Sequence, residues 1–166
     1  MVESPQFSAQ TESDHARPVI PSRLCVLTFG DERLAVDLSH VSEVFEIDSI
    51  TSVPGMPPAL IGVANLRGTI VPIVDLHPSL GLPRVAAPHY AIVIRQGVQH
   101  IGVLIDEVPE SHTTEFEDVL EIPSEEVIRQ RPFVSGVLKV MGRPISMVNV
   151  ARLLVLVEGR INRDAA

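Results

Sequence analysis

The 166-residue sequence contains few residues of several kinds, and each shortage excludes a class of structure or function. The single cysteine, Cys25, excludes an intramolecular disulfide and is typical of a reducing compartment. The single lysine, Lys139, and a formal net charge of −8 make the chain a poor match for the phosphates of nucleic acid. One tyrosine and no tryptophan leave little for stacking against bases. Nucleic acid is therefore not an expected partner.

Long apolar runs are also missing. The longest extend about eight residues before a charge, a glycine or a proline interrupts them, whereas a membrane span needs roughly 20. The first residues lack the basic and apolar regions of a signal peptide. We therefore expect a cytoplasmic protein that does not insert directly into a membrane.

Residues that carry chemistry are present but scattered. The six histidines form no HxxxH pair, and phosphate-binding glycine loops and a nucleophile elbow are absent. Asp75 and Asp106 each end an apolar run, where capping of a turn is their expected role, and each histidine is expected in a turn or at the surface. These patterns predict neither a metal site nor a cofactor, and they favour a binding protein over an enzyme.

Composition divides the chain into three parts. Residues 1–22 are rich in proline, serine, glutamine and glutamate, which predicts a disordered N-terminal extension. Residues 158–166 are polar again and predict a tail that frays. The folded domain is expected over residues 23–157, because 45% hydrophobic residues in a chain of this length are enough to build a core.

Short runs rich in valine and isoleucine alternate with turn residues, which predicts a mainly β fold. The predicted strands are Leu24–Phe29, Arg33–Asp37, Ile61–Leu66, Thr69–Val74, Ala91–Arg95, His100–Ile105, Val137–Val140 and Ile145–Val148. Four dipeptides between them have the composition of hairpin turns: Gly30-Asp31, Arg67-Gly68, Gln96-Gly97 and Met141-Gly142. Helical spacing is confined to residues 41–45 after a possible Ser39 cap, to residues 119–122 and to residues 151–156.

Two stretches of the sequence are repeated. Residues 27–41 align with residues 93–108 at an offset of 67, and residues 62–76 align with residues 136–150 at an offset of 74. The larger second offset means that about seven additional residues lie in the second copy. Their expected place is the acidic stretch 110–131, which predicts a solvated loop.

The repeat predicts two copies of one small β unit, approximately residues 23–85 and residues 88–157. A unit of this size is marginally stable by itself, because too little of its surface is buried on folding. We therefore expect the two copies to pack on each other and to share a core.

Comparison of the two copies isolates one residue that the fold does not require. Arg67 occupies the tip of its predicted hairpin, whereas the second copy has Met141 at the same place. Gly68 and Gly142 have a structural reason, because a tight hairpin needs a residue that tolerates a positive φ. Arg67 has no such reason, so the sequence favours a binding role for its guanidinium.

The pattern G-V-x-N-L-R-G-x-x-x-P-I-V-D-L, from Gly62 to Leu76, resembles the CheW family of chemotaxis coupling proteins. The resemblance covers about residues 23–157. It implies a CheW-like fold of two five-stranded β-barrel subdomains with a few short helices. It also implies a non-enzymatic adaptor that couples the cytoplasmic tip of chemoreceptors to the regulatory domain of the histidine kinase CheA. Such an adaptor is expected to be monomeric when isolated and to associate with membrane receptor arrays.

The resemblance implies receptor contacts at five positions: Arg67, Val41, Glu43, Gly62 and Asn65. A structural role stays open for three of them, since Val41 could be a core residue, Glu43 a solvated one and Gly62 a site of close strand packing. The pathway stays open as well. It could be flagellar chemotaxis, type IV pilus motility or another kinase cascade in which the chain is a scaffold or a kinase-regulating module.

Overall fold

The chain forms eleven β-strands and two α-helices over the residues that the computed structural model describes, which are 20–56, 59–83, 90–114, 120–140 and 142–164. The strands are β1 (Arg23–Phe29), β2 (Glu32–Asp37), β3 (Val41–Glu46), β4 (Leu60–Leu66), β5 (Thr69–Val74), β6 (Tyr90–Gln96), β7 (Gln99–Ile105), β8 (Glu110–Thr113), β9 (Leu120–Glu121), β10 (Val134–Val140) and β11 (Arg143–Val148). The helices are α1 (Glu125–Gln130) and α2 (Val150–Asp164), and 3-10 helices span Leu38–His40 and Pro78–Leu80. The predicted mainly β fold is confirmed.

The strands form two sheets, and each sheet draws on both halves of the chain. The six-stranded sheet has the order β8-β1-β2-β11-β10-β9, and the five-stranded sheet has the order β3-β6-β7-β5-β4. The predicted halves, residues 23–85 and residues 88–157, therefore do not coincide with the sheets. Strands of the two halves pair with each other, β2 with β11 and β5 with β7 in parallel, and β1 with β8 and β3 with β6 antiparallel.

The strand registers of the two sheets confirm the duplication. Ala35 of β2 lies opposite Met147 of β11, and Gly102 of β7 lies opposite Ile73 of β5. These two pairs are related by the offsets of 67 and 74 that align the repeated sequences. The same register shift interrupts β4 and β10 at equivalent positions. The two copies therefore have the same backbone plan.

Strand β3 corrects the prediction of a short helix over residues 41–45. It pairs with β6, and a register shift lies between Val41 and Glu43. The bulge breaks the alternation of the strand, so that Val41 and Val44, three residues apart, both pack against the largest apolar cluster. A bulged strand thus produced the spacing that is typical of a helix.

The acidic stretch 110–131 contains more regular structure than the predicted loop. Strand β8 pairs with β1, β9 pairs with β10, and α1 begins after Ser124, whose side chain accepts the N–H of Val127 at 3.4 Å. The helix predicted over residues 119–122 is wrong, because Leu120 and Glu121 form β9; residues 115–119 lie outside the described residues. Tertiary pairing with β1 and β10, which the acidic composition did not reveal, orders this stretch.

The ends of the folded part also differ from the predicted boundaries. Residues 1–19 of the predicted N-terminal extension lie outside the described residues, but Ile20 already packs against an apolar cluster. The carbonyl oxygen of Ser22 accepts the N–H of Thr114 at 3.0 Å. At the other end, the helix predicted over residues 151–156 is confirmed, and α2 continues through most of the polar tail to Asp164.

Three apolar clusters stabilise the described part of the chain. The largest combines side chains of both sheets with α2, including Phe29, Ile92 and Leu153. A smaller cluster belongs to each sheet alone. Successive residues of β1 alternate between the two kinds of cluster, so both faces of this strand are buried. Cys25 lies in the shared cluster, and burial raises the pKa of its thiol.

A polar cluster lies where the two sheets meet. Its His77 lies in a turn, one of the two places expected for the histidines, but it is buried and not at the surface. The His77 side chain is only 3% exposed; its Nδ1 is 2.6 Å from Oδ1 of Asp75 and its Nε2 is 2.8 Å from Oδ1 of Asp106. Oδ2 of Asp106 accepts the N–H of Gly30 at 2.5 Å. The cluster therefore links the ends of β5 and β7 to the β1–β2 turn of the other sheet. Asp75 also accepts the N–H of His77 at 3.0 Å, as predicted for a capping residue.

Replacement of His77 by alanine is expected to lower the free energy of unfolding by about 3 kcal/mol. The reason is that Asp75 and Asp106 would lose their common partner, and Asp75 is buried. Urea-induced unfolding followed by circular dichroism measures the effect. The matched control is His100→Ala. Its Nε2 lies 3.4 Å from the carbonyl oxygen of Ile70, and so long a contact contributes little, so the expected loss is within about 0.5 kcal/mol. Equal losses in the two variants would contradict a role for the cluster.

Candidate functional site

The Arg67-Gly68 turn joins β4 to β5 as predicted. Both residues have a positive φ, +50° for Arg67 and +85° for Gly68, as a type I′ turn requires. The absence of a Cβ lets Gly68 adopt this φ without a clash, and Gly142 has a φ of +77° in the β10–β11 turn. Met141, the counterpart of Arg67, lies outside the described residues.

Arg67 forms an ion pair that connects the β4–β5 turn with β3, the strand at the opposite edge of the five-stranded sheet. Its Nη2 lies 3.3 Å from Oε2 of Glu43 on β3, and the Arg67 side chain is 82% exposed while that of Glu43 is 26% exposed. An ion pair with one side chain so exposed contributes little to stability, less than about 1 kcal/mol. Most of the hydrogen-bonding capacity of the guanidinium therefore stays available to another molecule.

Asn65 lies beside Arg67, and its side-chain oxygen takes part in a hydrogen bond within the chain. Its Oδ1 accepts the N–H of Gly68 at 2.8 Å, which satisfies a backbone donor of the turn. The side chain of Asn65 is thus part of the turn that presents Arg67.

Val41 lies at the start of β3. It is partly buried against the apolar cluster that the two sheets share. Val41 is therefore a residue at the margin of the core.

Gly62 is buried in β4 and has a clear packing reason. A Cβ atom at this position would lie 2.4 Å from the carbonyl oxygen of Thr51 and 2.6 Å from Cγ2 of Ile50. Thr51 exchanges two backbone hydrogen bonds of 2.9 Å with Val63, so its carbonyl is held in place. Close packing of the segment after β3 against β4 therefore requires the glycine.

Two exposed aliphatic residues near Arg67 were not singled out from the sequence. Ile70 is 57% exposed and lies opposite Asn65 in the β4–β5 hairpin. Val98 is 97% exposed in the β6–β7 turn, which is Gly97-Val98, one residue later than predicted. Because β5 and β7 are parallel, both turns lie at the same end of the five-stranded sheet. We call the surface formed by Arg67, Gly68, Ile70 and Val98 the arginine end.

The arginine end combines a cation with apolar side chains. Ile70 differs from the other aliphatic residues of β5 in its exposure, which the sequence does not reveal. In sequence Ile70 is one of several aliphatic residues in a predicted strand, and nothing local marks it as exposed. A guanidinium beside aliphatic groups can bind carboxylates and carbonyl oxygens of a partner protein while the aliphatic groups lose water. The surface is suited to protein recognition.

A protein-family model described as "CheW-like domain" matches residues 23–158 of the chain. The chain belongs to the CheW-like family. The resemblance seen in residues 62–76 is thereby confirmed, and the match spans both sheets. Among the described residues of this CheW-like protein, no helix is long and apolar enough to cross a membrane.

Relatives with assigned names agree with this assignment. The CheW-like chain is 32% identical over 130 residues to "Chemotaxis protein CheW" of Rhizobium meliloti strain 1021, covering 76% of this chain and 83% of the relative. It is 27% identical over 146 residues to "Chemotaxis protein CheW" of Klebsiella aerogenes, covering 87% of this chain and 88% of the relative. The crystal structure of scaffolding protein TtCheW from Thermoanaerobacter tengcongensis has a similar fold. Its TM-score is 0.68 at 26% identity, over 78% of this chain and 90% of that chain.

Replacement of Gly62 by alanine is expected to lower the free energy of unfolding by about 2 kcal/mol or more, because the new Cβ meets a held backbone carbonyl. The matched control is Gly102→Ala. A Cβ there would lie 2.7 Å from Cδ1 of Ile73, the end of a flexible side chain that can move, so a smaller loss is expected. Urea-induced unfolding compares the two variants, and equal losses would rule out the packing role of Gly62.

Proposed function

We propose that this CheW-like chain is a non-enzymatic adaptor that couples the cytoplasmic tip of chemoreceptors to the regulatory domain of a CheA-type histidine kinase. Family membership and the names of the relatives support the proposal. The observation that carries it is the conformation and exposure of Arg67. The fold holds this residue in a left-handed turn and leaves its charge largely open to solvent.

The chemistry of a receptor tip matches the arginine end. A helical hairpin presents carboxylates and, at its bend, backbone carbonyl oxygens, and a guanidinium binds such acceptors in a fixed fork geometry. Ile70 lies next to the turn and supplies apolar area that a partner can cover. Arg67 would therefore be the centre of the receptor contact and Ile70 a neighbouring part of it.

Adaptor function also suits the construction of the molecule. The shared cluster packs both sheets and α2 together, so a partner bound to one sheet has a fixed position relative to a partner bound to the other. Two proteins bound to one such body meet at a raised effective concentration without any reaction in the adaptor itself. In this role the chain would be located at the cytoplasmic side of membrane receptor arrays.

Arg67→Glu is expected to weaken binding to a chemoreceptor cytoplasmic fragment about 30-fold, which corresponds to about 2 kcal/mol. The reason is that a carboxylate would face the acceptors that the guanidinium binds. Isothermal titration calorimetry with the receptor fragment measures the change. The free energy of unfolding should change by less than about 1 kcal/mol, because the side chain is exposed.

Two variants control for charge and for the ion pair. Arg33→Glu reverses an exposed charge on the six-stranded sheet and should leave receptor binding unchanged. The double variant Glu43→Arg/Arg67→Glu restores opposite charges at the two positions and should still bind the receptor weakly, because the cation is then in the wrong place. Affinity of Arg67→Glu for the kinase regulatory domain should stay at the parent value. Parent-like receptor binding by Arg67→Glu would refute the proposed function.

A further inference from the structure

The turn that carries Arg67 differs from two other tight hairpin turns of the protein. In Gly30-Asp31 and Gly97-Val98, glycine takes the first position with a φ of +56° and +59°. Arg67 takes the same position with a φ of +50°, and it is the one non-glycine residue with a positive φ among those the structure describes. This conformation is disfavoured for a residue with a side chain, because Cβ approaches the following carbonyl oxygen. Something else in the structure must therefore hold Arg67.

Asn65 holds this turn from the preceding strand. The hydrogen bond from the Gly68 N–H to its Oδ1, 2.8 Å long, fixes the peptide plane between Arg67 and Gly68. That plane is one of the two that define the backbone conformation of Arg67. The side chain of Asn65 thus acts directly on the geometry of the arginine.

A fixed backbone limits the directions in which the side chain of Arg67 can extend. The Arg67 side chain extends to β3, where Nη2 is 3.3 Å from Oε2 of Glu43. A side chain that already points in its binding direction loses less conformational freedom when a partner binds. The geometry of the turn therefore affects affinity as well as stability.

We propose that Asn65 is a positioning residue for receptor binding. It holds Arg67 in the left-handed conformation in which Arg67 contacts the receptor, and it makes no receptor contact of its own. This inference rests on the proposed function, since it requires that Arg67 contacts the receptor.

The test is a double-mutant cycle on the full chain, with the soluble cytoplasmic hairpin of a chemoreceptor from the same organism as the probe. Asn65→Ala should weaken binding about fivefold, and Arg67→Ala should weaken it by roughly tenfold or more. In the Arg67→Ala background, Asn65→Ala should cause no further loss, although it still removes the same hydrogen bond. Asn65→Asp keeps an acceptor oxygen at the same reach and should bind within about twofold of the parent.

Amide hydrogen exchange of Gly68 gives a readout of the turn itself. Exchange should be faster in Asn65→Ala and should stay at the parent rate in Asn65→Asp, because only the first variant lacks the acceptor. The inference is overturned if Asn65→Ala weakens binding equally in both backgrounds, since Asn65 would then contact the receptor directly. It is also overturned if Asn65→Ala frees the Gly68 amide but binds like the parent, or if Asn65→Asp binds as weakly as Asn65→Ala. Parent-like binding by Arg67→Ala would instead show that the proposed function fails, and the inference with it.

Discussion

Strand pairing between the two copies of the repeat builds both sheets of the molecule. Strand β2 pairs with β11, and β5 pairs with β7, through two residue pairs each. A single hairpin is marginally stable in water, and these contacts join four hairpins into two sheets. Each contact links one copy of the repeat to the other, so neither copy can complete a sheet without its neighbour. The apolar cluster that combines side chains of both sheets with α2 then packs the two sheets against each other.

The two copies have diverged at the ends of these parallel pairs. In the first copy Asp75 follows β5 and binds His77, which leads through Asp106 to the opposite sheet. In the second copy Asn149 takes the equivalent place, and its Oδ1 accepts the N–H of Arg152 at the start of α2 at 3.0 Å. The side chain at this position therefore helps to connect the two sheets in the first copy and caps the start of a helix in the second. Both uses depend on a side-chain oxygen that caps the end of a strand.

Packing of the two sheets does not require an arginine at the tip of the β4–β5 hairpin. Arg67 has a conformation that costs free energy, and its exposed ion pair with Glu43 returns little of it. Natural sequences break local preferences of this kind mainly where function requires it. An arginine in a left-handed turn is consistent with selection for binding, because glycine at the same position would suit the fold better.

Hydrophobic alternation and turn composition are enough to predict many of the strands and turns of this protein. The eight predicted strands are present, the repeat is real, and Arg67 stands out because its counterpart is Met141. These features are local or depend on comparing one stretch with another, so the linear sequence contains them. The bulge in β3 shows the limit, since its spacing of Val41 and Val44 is indistinguishable from that of a helix.

Long-range pairing decided the rest. The pairing of strands from different halves and the close packing of Gly62 against Thr51 depend on segments that lie apart in the sequence. The burial of His77 and the exposure of Ile70 depend on which parts of the surface other elements cover. The physical reason is that these hydrogen bonds and this burial arise only when distant strands pair and the two sheets pack together. Residue order alone established which segments are strands and which arginine lacks a structural role. Only the tertiary structure decided what each strand lies beside and which side chains reach the surface.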